Sequence, residues 1–168
     1  MSARLVQAIE KLRPLLPDVG FVSSTGLHLT LRFLGGSREQ QLDLMLSELA
    51  AAARDCPRLV ARIGGIGMFP ERGAPRVLWV GLAAAPQLGS LQAACERAAR
   101  SAGFLTDGRP FRPHMTIGRW RARAVRPQLP PLDLGETVLR SLVLFRSELQ
   151  AGAARHTPLA TFPLAGAS

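Results

Sequence analysis

Two short stretches hold the side chains best suited to chemistry. In Leu27-His28-Leu29-Thr30-Leu31-Arg32-Phe33-Leu34-Gly35 a histidine stands two residues before a threonine, and Pro113-His114-Met115-Thr116-Ile117-Gly118-Arg119 repeats the arrangement. Strand geometry, with its period of two, sends His28, Thr30 and Arg32 to one face and Leu29, Leu31 and Phe33 to the other. It likewise lifts His114 and Thr116 above Met115 and Ile117. One such histidine is adequately explained as a half-buried strand residue satisfied by neighbouring backbone. Two copies, 86 residues apart in a chain of 168, point instead to a duplicated, two-lobed domain with one histidine per lobe.

Two imidazoles facing one another suit a reaction in which one gives a proton while the other takes one, because free imidazole titrates at about pH 6.5. Threonine hydroxyls beside them can donate to phosphoryl oxygens, and nearby arginines can offset the charge. This chemistry is phosphoryl transfer without a metal. Neither motif contains a carboxylate, and the third histidine, His156, is poorly placed by sequence to complete a metal cluster. No metal site and no cofactor are therefore expected.

Composition narrows the setting. The formal charge of +9 is carried almost wholly by arginine, with Lys11 the only lysine. That surplus is either a compositional habit or the mark of an anionic partner, for which guanidinium forks are well suited. Cys56 and Cys95 have no C-x-x-C spacing and are expected to be reduced structural thiols. With no secretory pattern and no apolar run approaching the roughly 18 residues of a membrane span, a cytoplasmic protein without membrane contact is expected. The length fits a single domain over residues 1–168.

Elements that must position the motifs follow from periodicity and breakers. Leu5, Ile9, Leu12 and Leu16 predict a short amphipathic helix limited by Pro14 and Pro17. Strands are expected over 21–24 and 27–34, then a helix capped by Ser37 with Gln40 and running through Ala53. Residues 59–69 predict a strand with a glycine bulge, and 76–82 a central strand with Trp79 in the core. Pro86 opens a helix ending near Gly103. Arg109 and Arg112 flank the approach to the His114 strand. Residues 121–131 form a basic loop, and strands over 139–149 and 157–164 close the chain as a hairpin. The fold class is α+β with mainly antiparallel sheets.

The two motifs, together with Met68-Phe69-Pro70, Pro75-Arg-Val-Leu-Trp-Val-Gly81 and Pro110-Phe-Arg-Pro113, resemble the paired motifs of the two-histidine phosphoesterases. Within them, the chain is most similar to the LigT-like RNA 2′,3′-cyclic phosphodiesterases, also called 2′-5′ RNA ligases. The resemblance implies a bilobal, pseudo-symmetric fold with two sheets flanking a central groove and helices outside. It implies that His28 is the proton donor and His114 the proton acceptor in opening a terminal 2′,3′-cyclic phosphate to a 2′-phosphate, the reverse being 2′-5′ ligation. Thr30, Thr116 and Arg119 are the expected phosphate contacts; Arg32 is either a further one or a solvent-facing strand arginine, and Phe111 either the ring for base stacking or a core residue. RNA with a 2′,3′-cyclic phosphate end, or a cyclic nucleotide, is the implied partner.

Two departures stand out. Members of the family begin with a β-strand before the first helix, whereas here the helix follows Met1 almost directly. Either the sequence starts late or one lobe has lost a strand; in the second case a sheet edge able to pair with another molecule is expected, and a strand-exchanged dimer is then the alternative to a monomer. The tyrosine common near residues 152–156 is also missing. Two other readings stay open: a phosphodiesterase for a different small cyclic phosphate, and a nucleotide- or RNA-binding module without turnover. The second is disfavoured, because binding alone needs no matched donor and acceptor.

Overall fold

Leu5, Ala8, Ile9 and Leu12 recur on one side of helix α1 (Ala3–Leu12), and all four are buried. Pro14 then turns the chain through a 3-10 segment, Arg13–Leu15. The computed structural model describes residues 3–150 and 153–166. Beyond α1 it comprises β1 (Val19–Phe21), α2 (Glu39–Arg54), β2 (Leu59–Phe69), β3 (Val77–Ala84), α3 (Gln87–Ser101), β4 (His114–Trp120), β5 (Asp133–Leu139), β6 (Ser141–Gln150) and β7 (Ala153–Pro163). Helices and antiparallel strands alternate as the α+β reading expects. Among the described residues no helix is long and apolar enough to cross a membrane.

The chain divides into two compact units. The first contains Met1–Thr30, Ala61–Ala83 and Pro113–Thr137, and its sheet runs β1-β4-β3-β2-β5. The central place of β3 agrees with its two apolar faces, but only one of them is core. Leu78, Val80 and Leu82 are buried with Val19, Ile63, Met115, Ile117 and the apolar side of α1, where each large side chain contributes about 1.5–3 kcal/mol by leaving water. Trp79, on the other face, is half-buried rather than core.

The second unit contains Leu31–Val60, Ala84–Arg112 and Val138–Ser168. Helices α2 and α3 pack together, and α2 also meets the two-stranded β6–β7 ribbon. Met45, Leu49, Leu88, Leu91, Leu142, Leu144 and Leu164 are buried there. The helix expected to be capped by Ser37 begins at Glu39. The partner of its first turn is Gln41, whose Oε1 accepts from the backbone N–H of Arg38 at 3.1 Å.

Cys56 and Cys95 are buried free thiols. Burial, with Cys56 nearby, pushes the Cys95 thiol up to about 12, and burial also raises Cys56. Both are expected to resist iodoacetamide at neutral pH in the native protein and to react once it is unfolded, which intact-mass measurement checks.

Two strand expectations change. Residues 27–34 form no continuous strand; only Leu29 pairs, as a single antiparallel bridge to Met115. Conversely, Asp133–Leu139 is a strand at the edge of the first sheet, following the basic loop.

Candidate active site

The first motif reaches the sheet through a tight detour. After β1 the Val22 N–H donates to Ile117 C=O at 2.9 Å, and Ser24–Gly26 turns as a 3-10 segment. Leu29 then lands opposite Met115. Antiparallel pairing around that bridge sets position 28 beside 116 and position 30 beside 114. Leu29 shares the face of buried Met115, so His28 and Thr30 stand on the face of His114 and Thr116. The 86-residue spacing suggests one histidine per lobe, but both histidine–threonine pairs fall within the first unit.

His28 is oriented by the same turn. Its Nδ1 lies 2.7 Å from the Gly26 carbonyl oxygen. A carbonyl can only accept, so Nδ1 carries a proton and Nε2 is the nitrogen at which His28 gains or loses one.

On β4 a bulge decides which side chains join the histidine. Leu78 pairs with Gly118 but Trp79 pairs with Thr116, leaving Ile117 without a partner on β3. Strict alternation from His114 would turn Arg119 away. The extra residue restores it, because Arg119 pairs with Val77, Thr116 with Trp79 and His114 with Gly81, and those three β3 residues share one face. Thr30 and Thr116 are half-buried and Arg119 is exposed.

An aromatic wall holds His114. The Phe69 ring meets the imidazole edge-on, with centroids 5.2 Å apart at 82°. Trp79 lies 6.2 Å from His114 and 5.3 Å from Phe69. Gly67 makes this possible, since a Cβ there would stand 2.2 Å from the Trp79 Cζ2 atom. Gly81, opposite His114, is equally constrained: a Cβ would come within 2.8 Å of the Gly64 carbonyl oxygen.

Other expected residues are placed differently. Arg32, expected on a phosphate or in solvent, has a side chain only 8% exposed and paired with Glu96, Nε to Oε2 at 2.5 Å. Its two terminal nitrogens donate to the Phe33 and Leu105 carbonyls. Those partners, all in the second unit, occupy the guanidinium, and Arg32 is corrected from phosphate contact to internal tie. Phe111 is half-buried in the second unit. Arg109 closes on Asp107, its Nε and Nη2 donating at 2.9 and 2.7 Å, which holds the Asp107 carboxyl down to about 2. His156 Nδ1 lies 2.9 Å from Ser147 Oγ on the β6–β7 ribbon. Among the described residues no three His, Cys, Asp or Glu side chains gather where they could hold a metal ion.

Sequence reasoning thus missed Phe69 and Trp79 as neighbours of His114, and Gly67 as the position that admits Trp79. A usable signal was the glycine two residues before Phe69, since a bare backbone position in an apolar strand marks close approach by something bulky.

A family model of the 2′-5′ RNA ligase superfamily matches residues 2–153. Relatives named RNA 2′,3′-cyclic phosphodiesterase occur in Thermus thermophilus, 35% identical over 99% of this chain and 85% of the relative, and in Geobacillus stearothermophilus, 34% identical over 90% of this chain. The chain spans half the length of the Geobacillus protein. Among solved structures, one from Thermus thermophilus superposes with a TM-score of 0.87 at 33% identity, covering 98% of this chain and 91% of that one. E. coli LigT complexed with 3′-AMP gives a TM-score of 0.79 at 25% identity, covering 98% and 93%. With its paired motifs, its α+β architecture and a match over most of its length, the chain belongs to the 2′-5′ RNA ligase superfamily.

Proposed function

We propose that this chain is an RNA 2′,3′-cyclic phosphodiesterase that opens a terminal 2′,3′-cyclic phosphate to a 2′-phosphate by acid–base catalysis from His28 and His114, without a metal. The observation that carries the reading is the Leu29–Met115 bridge, which brings both histidine–threonine pairs onto one face. His28 and His114 then occupy diagonal positions across that bridge. Both imidazoles can reach a phosphoryl group held over that face.

His114 takes a proton from water as the oxygen attacks phosphorus. The bond from phosphorus to the 3′ oxygen breaks, and His28 Nε2–H protonates the departing oxygen. Solvent then resets the two imidazoles. With a 5′-hydroxyl in place of water, the same ring opening forms a 2′-5′ linkage and leaves a 3′-hydroxyl. Thr30 and Thr116 hydroxyls donate to the non-bridging oxygens, and Arg119, brought to the same face by the bulge, offsets their charge. Phe111 is the ring proposed to stack on the terminal base. The names of the relatives support this substrate class, and cytoplasmic RNA ends are its proposed setting.

A panel of substrates tests it: 2′,3′-cyclic nucleotides, an RNA ending in a 2′,3′-cyclic phosphate, ADP-ribose 1″,2″-cyclic phosphate and 3′,5′-cyclic nucleotides, each with excess chelator. Hydrolysis of the first two, undiminished by chelator, is expected. Turnover that vanishes and returns with one divalent ion would overturn the metal-free mechanism, and exclusive use of the last two would overturn the substrate.

A further inference from the structure

We infer that Glu96 is a positioning residue for the two histidine motifs, fastening the chain where it leaves the first and where it approaches the second. This rests on the catalytic reading above for its effect on turnover, though not for its effect on order. Glu96 lies on α3, and its carboxylate divides between two segments. Oε2 meets Arg32 Nε at 2.5 Å, while Oε1 accepts from the backbone N–H of Asp107 at 3.3 Å.

Arg32 extends the fastening. Its terminal nitrogens bind the carbonyls of Phe33, on its own segment, and of Leu105, on the other. The two side chains are 8% and 17% exposed, so water replaces little of this if it is cut. Asp107 in turn holds Arg109 through its side chain. One carboxylate and one guanidinium therefore join residues 32–33 to residues 105–107.

What these segments share is their place along the chain. Arg32 follows Thr30 by two residues, and the chain passes from the first unit to the second between Thr30 and Leu31. It returns at Pro113, immediately before His114. Leu29 is held to the sheet by a single bridge, so little in its own pairing fixes the segment beyond. A catalytic pair tolerates little misplacement, an error of about 1 Å costing on the order of 100-fold in rate. The fastening lies just beyond Thr30 on one side and before His114 on the other, so it acts through the segments that carry the two histidine–threonine pairs.

The test compares the native chain with Glu96→Gln and with the apolar pair Arg32→Leu/Glu96→Leu, each assayed well below its melting temperature. Glu96→Gln keeps an acceptor for Asp107 but cannot balance Arg32. Its kcat on a 2′,3′-cyclic nucleotide is expected to fall on the order of 10- to 100-fold with KM unchanged, because misaligned proton transfer is felt in the transition state. The apolar pair is expected to regain the native melting temperature without regaining kcat. A native kcat in Glu96→Gln, or recovery of kcat together with melting temperature in the double variant, would overturn the inference. If Glu96→Gln fails to fold, the double variant alone decides.

Hydrogen exchange separates this from the catalytic reading. Faster exchange in peptides covering 27–34 and 105–113, with 141–148 unchanged, is expected in Glu96→Gln whether or not the chain hydrolyses anything. Unchanged exchange in the first two peptides would overturn the fastening itself. A native chain inert toward every cyclic phosphate would overturn only the proposed activity.

Discussion

His28→Ala and His114→Ala are each expected to lower turnover of a 2′,3′-cyclic nucleotide by about 10²- to 10⁴-fold while leaving fold and substrate binding largely intact. Each imidazole supplies one proton transfer, and a positioned acid or base is worth about that much. Neither side chain is part of the buried apolar core. Because both act in one transition state, the double variant should be scarcely slower than either single one. The native pH profile of kcat/KM should be bell-shaped, each variant losing one limb. Thr30→Ala and Thr116→Ala should be milder, since they weaken a hydrogen bond to phosphate but leave proton transfer in place. Turnover and equilibrium binding on folded variants check this. Near-native turnover in either histidine variant would return that histidine to a structural role.

Gly67→Ala is the substitution away from the histidines with the largest expected effect. The new methyl would stand 2.2 Å from Trp79 Cζ2 and 2.5 Å from Cη2. A rigid indole cannot yield at its tip, so the whole ring must move off Phe69 and His114, its neighbours at 5.3 and 6.2 Å. Overpacking of this kind costs about 1–3 kcal/mol, read as a lower melting temperature. Turnover should fall further than the loss of folded protein explains, because the wall that holds His114 has shifted. Gly89→Ala is the matched control. It lies in α3 with nothing within 4 Å of its Cβ position and should gain about 0.5–1 kcal/mol from helix propensity. A native melting temperature and native turnover in Gly67→Ala would show that the wall does not hold His114.

How much of this was legible beforehand depends on whether a feature is local. The chemistry of His28, Thr30, His114 and Thr116 is written in residue type and spacing, and so are α1, α3 and the closing hairpin. Pairing is not. Residues 27–34 alternate as well as any strand in the chain, yet a strand also needs a neighbour, and only Leu29 finds one. Arg32 obeys the same alternation, but an acidic partner 64 positions away on α3 claims it. Such long-range pairing leaves no mark near Arg32 itself.

Arg119 shows the opposite case. Counting by twos from His114 puts it on the wrong face, and the resemblance alone singles it out. The bulge at Ile117 reconciles the two, and a bulge depends on the register of β3 against β4 rather than on any residue in the motif. Trp79 was misjudged for a related reason. Its strand is central, but apolar residues on both faces do not mean that both faces are core, and Trp79 walls the histidine instead. The strand Asp133–Leu139 follows Pro130 and Pro131 and carries Asp133, Gly135 and Glu136, residue types that seldom mark a strand and so conceal it.

The most direct test is the position of the phosphate left on the product. A 2′,3′-cyclic nucleotide is turned over by the native chain with excess chelator, and the product is resolved by phosphorus NMR against authentic 2′- and 3′-monophosphates. If His28 protonates the departing 3′ oxygen while His114 activates water, the product is the 2′-monophosphate alone. A 3′-monophosphate, a mixture of the two, or no hydrolysis at all would contradict that account.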